Sequence, residues 1–234
     1  MEEDSLGRVL PFPRAQATQA IGYYSDSLVL NGDTTNAATG NINLDDADPA
    51  DTKHFLAFDR FRHAALVDNT GNAASHGGVA ITYDALIGLR AYGIDRPYLH
   101  DWGHPVNPSD FVYVVNPELA DSISALDEVI TVDKYGTNAT VLAGEVGNIG
   151  RNPLIASIAV SKTEADGKVS TTAGNNTLGQ AIAFNRRGFV VGLRRQLKVE
   201  TERIPATDQS RIVFSLRMGF GRFTPTGAAS GIEA

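Results

Sequence analysis

The chain has no cysteine. That single absence removes disulfide scaffolds, thiolate-held zinc and thiol nucleophiles together. Long apolar runs are also missing: nothing approaches the roughly 20 residues that a membrane-spanning helix requires. A basic surplus is missing as well. The formal net charge is -7, so the chain as a whole is not built as a nucleic-acid binder. The amino-terminal Met-Glu-Glu-Asp is acidic where a secretory signal is basic, and no apolar stretch follows it. The expectation is a soluble, intracellular protein with no membrane partner. What the chain does have is 42% hydrophobic residues over 234 positions, enough for a real core in one large domain or two small ones.

Local patterns divide the chain into short elements. Residues 1–14 read as irregular, with Pro11 and Pro13. A helix is expected from Ala15 to about Leu30, with Ile21, Tyr24 and Leu28 toward one face. Asn31-Gly32-Asp33 stops it, the Asn-Gly pair offering left-handed backbone. After an Asn-rich loop, Asp48-Pro49 reads as a helix start for a segment carrying Phe55, Phe58, Phe61, Arg62, Ala65 and Leu66. Thr82 caps a third helix closed by Gly93. Phe111–Val115 is a continuous apolar run and reads as a buried strand. Asn116-Pro117-Glu118 starts another helix with a cap, a proline and a carboxylate near the positive dipole end. Short strands follow at 129–132, 139–142 and 154–160, then a turn at Asp166-Gly167 and an apolar strand at 181–185. Two long strands, 188–203 and 210–223, end the ordered pattern, and the tail from Thr224 is expected to fray.

Catalytic constellations are scarce. His100 and His104 have an H-x3-H spacing that suits zinc when both rings share a helix face, but Gly103 and Pro105 argue against a helix there. A metal-dependent hydrolase using this pair is the least favoured reading. Asp45, Asp46, Asp48 and Asp51 cluster, yet the glycine and glutamate that a calcium-binding loop needs are absent, and the better reading gathers these acids at a helix start. Gly144, Gly147 and Gly150 do not follow the dinucleotide fingerprint and read as turns between strands. No nucleophile elbow and no phosphate loop is present. No catalytic residue, metal or cofactor is therefore assigned.

The arginines of the last third carry the strongest signal. Between residues 186 and 222, Arg186, Arg187, Arg194, Arg195, Lys198, Arg203, Arg211, Arg217 and Arg222 meet only Glu200, Glu202 and Asp208. The acidic surplus lies upstream, so one copy's basic region is complementary to another's acidic region. Arginine suits such interfaces because its planar fork grips carboxylates at two points. A solvated strand face is the plain alternative, and contact with nucleic-acid phosphates is a third.

Several segments in order resemble the tailed-bacteriophage major capsid family, the Hong Kong 97-type shell proteins. Asp26–Asp33 is similar to the end of that family's spine helix. Phe111–Pro117 resembles its core strand and following helix start. Val132–Ala139 resembles the turn after that helix, Gly144–Ser157 its glycine-and-proline stretch before a strand, and 188–203 with 211–220 its long peripheral strand pair. The resemblance covers roughly residues 20–223. It implies an α+β fold with an irregular amino terminus and spine-helix end at 1–32, an axial domain at 33–185, and a peripheral strand pair with tail at 186–234. Family members carry an arm, an extended loop and most of the spine ahead of this region, so the expectation is an N-terminally truncated chain.

The function that the resemblance implies is structural and non-enzymatic: self-assembly into an icosahedral shell around phage double-stranded DNA. The shell would sit in the virion and its subunits would be made in the host bacterial cytoplasm. The implied partners are copies of itself in pentamers and hexamers, with packaged DNA and scaffold or decoration proteins as further possibilities. Arg187, Arg194, Arg195, Glu200 and Arg217 are the expected subunit-contact residues. An encapsulin-type compartment shell is the alternative on the same fold.

Overall fold

Five consecutive buried residues, Phe111–Val115, form strand β1 at the centre of a four-stranded sheet. The structure is a computed structural model that describes residues 11–68, 70, 73–95, 110–129, 145–207 and 209–222, with backbone alone at 11–14, 90–95, 210 and 222. Residues 24–188 make one compact unit, and 11–23 with 189–222 make the other. The mixture of helices with a largely antiparallel sheet is α+β.

In the larger unit the sheet order is β2 (Gly147–Ile149), β3 (Asn152–Ala156), β1, β4 (Ala181–Asn185). β1 runs parallel to β3 and antiparallel to β4. A central strand flanked on both sides must be apolar on both faces, which is why 111–115 reads without alternation. On one face Tyr113 and Val115 pack with Leu154, Ile149, Ala181 and Ala183. Helix α4 (Pro117–Ser124) adds Ala120 and Ile123 to this core. Helix α3 (Tyr83–Asp95) adds Leu86, whose carbonyl accepts the Tyr113 hydroxyl at 3.0 Å. Each fully buried aliphatic side chain here contributes about 1.5–3 kcal/mol of burial free energy. On the other face Phe184 stacks on Phe61, with ring centroids 4.4 Å apart.

Several expectations hold. Thr82 caps α3, its hydroxyl accepting the Ala85 N–H at 3.3 Å. Gly150 and Arg151, with φ of 52° and 76°, turn β2 into β3, whereas Gly147 is a paired residue of β2 and Gly144 lies outside the described residues. Asp166-Gly167 makes a tight turn with Gly167 at φ 81°. Other expectations are corrected. The first helix, α1, runs Pro11–Asn31, so the prolines lie inside its start. Its burial is not a stripe through Ile21, Tyr24 and Leu28. It concentrates at the carboxyl end, at Ser27, Leu30 and Asn31. Asn116 makes no side-chain cap for α4; its buried amide oxygen instead accepts the Gln180 N–H at 3.1 Å.

The segment after Pro49 is not one helix. A 3-10 turn spans His54–Ala57, Phe58 and Arg60 are extended, and helix α2 (Phe61–His63) runs on as a π-helical turn through Asp68. The acids at 45–51 consequently do not gather at a helix start. The cause is tertiary: the extended stretch crosses the end of α1, where the Arg60 N–H bonds the Gly32 carbonyl at 2.9 Å. A Cβ on Gly32 would collide with the Phe58 carbonyl oxygen and stand 2.8 Å from that of Leu28. Gly32 is therefore required for close backbone approach, and its φ is not in the left-handed region.

In the smaller unit β5 (Phe189–Ile204) and β6 (Gln209–Arg222) form a long antiparallel hairpin. Among the described residues no third strand joins it. The expected strands at 129–132 and 139–142, and the loop holding His100 and His104, lie wholly or largely outside the described residues, as does the tail from Thr224.

Candidate functional site

The hairpin owes its character to period-two alternation. On β6, Ile212, Phe214, Leu216, Met218 and Phe220 fall on one face, while Arg211, Ser215 and Arg217 fall on the other with Val213 and Gly219. Cross-strand register puts Val199 opposite Phe214, Leu193 opposite Met218 and Val191 opposite Phe220, which extends the apolar face onto β5. Phe189 and Phe220 stack at 5.6 Å. Much of this apolar surface meets solvent: Val191 is 49% and Leu193 60% exposed.

The second face is ionic. Register pairs Glu202 with Arg211, a favourable opposition, and Arg195 with Arg217, an unfavourable one. Two guanidinium groups directly across a ladder repel, and the register shifts on both sides of Arg195 show the ladder interrupted there. Lys198 pairs with Glu200 on the same strand. That contact holds the Glu200 carboxyl below the usual carboxylate range, with Lys198 as the main cause and Arg195 a lesser one. Arg194 and Arg217 are exposed and Arg195 is half-buried.

Of the sequence-predicted contact residues, Arg194, Arg195, Glu200 and Arg217 thus share the hairpin. Arg187 belongs elsewhere. It sits in a 3-10 turn after β4, and its Nε lies 3.1 Å from Oδ1 of Asp110, a carboxylate whose side chain is 2% exposed. Arg186 reaches the same oxygen at 4.0 Å. Asp110 immediately precedes β1, so this pairing ties together the ends of two adjacent strands. Arg187 pairs with one oxygen of a buried acid of its own chain.

A second polar constellation surrounds Arg62, which is fully buried. Its guanidinium donates to Asn31 Oδ1 at 2.9 Å, to the Gly167 carbonyl at 2.8 Å, and at 3.4 Å to both Asn43 Oδ1 and the Ile42 carbonyl. Burial pushes its pKa down to about 10, opposed by Asp33 and Asp166. The side chain therefore stays charged at neutral pH and joins the end of α1, the loop after it and the 164–168 turn. The acids of the 45–51 cluster serve the same region. Asp45 pairs with Lys168 at 2.8 Å, and Asp46 accepts the Ser170 hydroxyl at 2.8 Å and the Thr171 N–H at 2.7 Å.

Beside Arg62, the carboxylates of Asp33 and Asp59 and the ring of His63 converge, with one ligand-type atom from each lying within 4.8 Å of the others. Sequence reasoning passed over this group. Asp33 read only as a helix stop, and Asp59 with His63 were hidden by the single-helix expectation for their segment. The four-residue spacing of Asp59 and His63 was the available signal; the approach of Asp33 was not readable. Among the described residues no helix is long and apolar enough to cross a membrane.

No protein-family model and no curated protein matches the chain. Among solved structures it is similar to one described as Mycobacterium phage Che8, at 22% identity and a TM-score of 0.44, over 73% of this chain and 54% of that one. It is also similar to one described as the asymmetric unit of bacteriophage PhiM1 mature capsid, at 14% identity and a TM-score of 0.43, over 93% of this chain and 61% of that one. The chain thus spans little more than half the length of either.

Proposed function

We propose that this chain is a structural capsid subunit of Hong Kong 97 type, which self-assembles with its own copies into an icosahedral shell enclosing phage DNA and catalyses no reaction. The observation that carries the reading is the hairpin. A two-stranded ribbon of this length is marginally stable without partners. Here it offers an exposed apolar face at Val191 and Leu193 and, on the other side, a repulsive Arg195–Arg217 pair. Both faces improve when a neighbour supplies apolar cover and carboxylates. The ordered sequence segments that resemble the capsid family support the same reading. The contact residues are then Arg194, Arg195, Glu200 and Arg217. Arg187 contributes through its exposed flank, since its side chain is 70% exposed even while paired to Asp110.

The test is a double charge reversal, R194E with R195E, followed by sedimentation and electron microscopy. Particle yield is expected to fall by about tenfold or more, because like charges forced together at an interface cost several kcal/mol. Unchanged particle yield would remove these residues from the interface. Clean monomers of the unsubstituted protein at every concentration would remove self-assembly itself.

A further inference from the structure

We propose that Asp33, Asp59 and His63 form a binding site for one divalent first-row transition-metal ion, of the zinc or manganese type, which fastens the turn after α1 to the start of α2. The His63 side chain is 9% exposed, and its Nε2 lies 3.7 Å from Oδ1 of Asp33 and 3.7 Å from Oδ1 of Asp59. Those distances exceed a hydrogen bond. The ring therefore points between two carboxylate oxygens without bonding either. The other ring nitrogen, Nδ1, is buried and makes no hydrogen bond, with Asp68 Oδ1 at 3.6 Å.

Spacing, charge and preorganisation agree. A zinc-type ion stands about 2.0–2.2 Å from nitrogen and oxygen ligands. The two His63-to-carboxylate separations of 3.7 Å are near the roughly 3.4 Å between donors around a tetrahedral zinc, and the remaining pair, within 4.8 Å, closes by up to about 1.4 Å to share the ion. One imidazole with two carboxylates suits zinc or manganese better than calcium or magnesium, which favour all-oxygen sites. His63 faces three carboxylates, Asp33, Asp59 and Asp68, and even a protonated ring would answer them with one charge. Arg62 interacts electrostatically with Asp33, and Arg60 with Asp59.

Both carboxylates are already held in place. Asp33 accepts the N–H groups of Thr35 and Ile42 at 2.8 and 2.7 Å, and Asp59 accepts the N–H and hydroxyl of Thr34 at 2.7 and 2.8 Å. Asp68, 3.6 Å from Nδ1, would have to close to hydrogen-bond distance to orient a metal-bound His63 through that nitrogen.

The test is isothermal titration of the chelator-treated protein with Zn²⁺ and with Mn²⁺, beside nitrogen-15 resonances of the histidine rings. One ion per chain is expected, with the largest shift at His63 Nε2 and a higher Tm in the bound form. D59N retains the side-chain shape at a half-exposed position and should weaken binding about tenfold or more, as should D68N. H63Q should abolish the site. Circular dichroism identifies any variant that fails to fold, and D59N is the variant on which the inference stands if H63Q does. Absence of stoichiometric binding of either ion would overturn it, and so would binding unchanged in D59N with the shift at another histidine. Loss of this site leaves particle yield as an independent readout, so its failure is separable from that of the shell reading.

Discussion

Arg62 ties together much of the larger unit, because its two terminal nitrogens donate to segments distant in sequence. Asn31, Ile42, Asn43 and Gly167 all accept from it. Replacing it with alanine leaves buried acceptors without donors and should destabilise the fold by about 3 kcal/mol or more. Lysine should not rescue it, since a point charge cannot reproduce the planar fork. Urea unfolding of R62A and R62K measures both. His54 gives a second residue-scale prediction. Burial, with Lys53 beside it, lowers its pKa below the ordinary 6.5 while its Nε2 lies 2.9 Å from the Ser27 hydroxyl. A lowered folded pKa means that the unfolded state binds the proton more readily. His54 therefore adds stability that is full above pH 6.5 and is lost as the pH falls through its folded value. Thermal midpoints should drop as the pH falls below about 6.5, and H54Q should flatten that slope.

At the scale of elements, the hairpin of β5 and β6 separates two readings of its arginines. If the ionic face is merely solvated, relieving the Arg195–Arg217 repulsion should change nothing beyond the chain itself. If that face meets carboxylates of a neighbour, stability and association should move in opposite directions. R195E creates an opposite-charge cross-strand pair with Arg217. It should raise hairpin stability by roughly 0.2–1 kcal/mol while lowering association. Thermal unfolding of monomer and sedimentation velocity, run on the same variant, read the two effects. The loop acids make a contrasting case. Asp45 and Asp46 are spent within the chain on Lys168, Ser170 and Thr171, so substitutions there should act on folding.

For the whole molecule, charge distribution is the controlling variable. The chain is net negative while its hairpin is rich in arginine, so on the proposed shell reading copies attract one another through unlike regions. Such attraction is screened over about 10 Å at 0.1 M salt and about 3 Å at 1 M. Association measured by sedimentation should weaken over that range if the ionic face dominates. It should hold or strengthen if the apolar face at Val191 and Leu193 dominates. The Arg195–Arg217 opposition favours the first outcome.

The sequence by itself determined the elements whose signals are local. The apolar run at Phe111–Val115, the Thr82 cap, the Asp166-Gly167 turn and the alternation of 212–220 all appear in place, because periodicity and turn chemistry act within a few residues. The grouping of Arg194, Arg195, Glu200 and Arg217 on one ribbon was legible for the same reason, whereas the α+β class was an expectation from the family resemblance. Only the tertiary structure decided the rest. It broke the 49–66 helix by laying extended backbone over Gly32, turned the Asn116 side chain to β4, and committed Arg187 to Asp110. It buried Arg62 and brought Asp33 to His63. Each of these depends on a buried polar group finding its partner across a long loop. That requirement is strict in energy, yet it leaves no periodic trace in the chain.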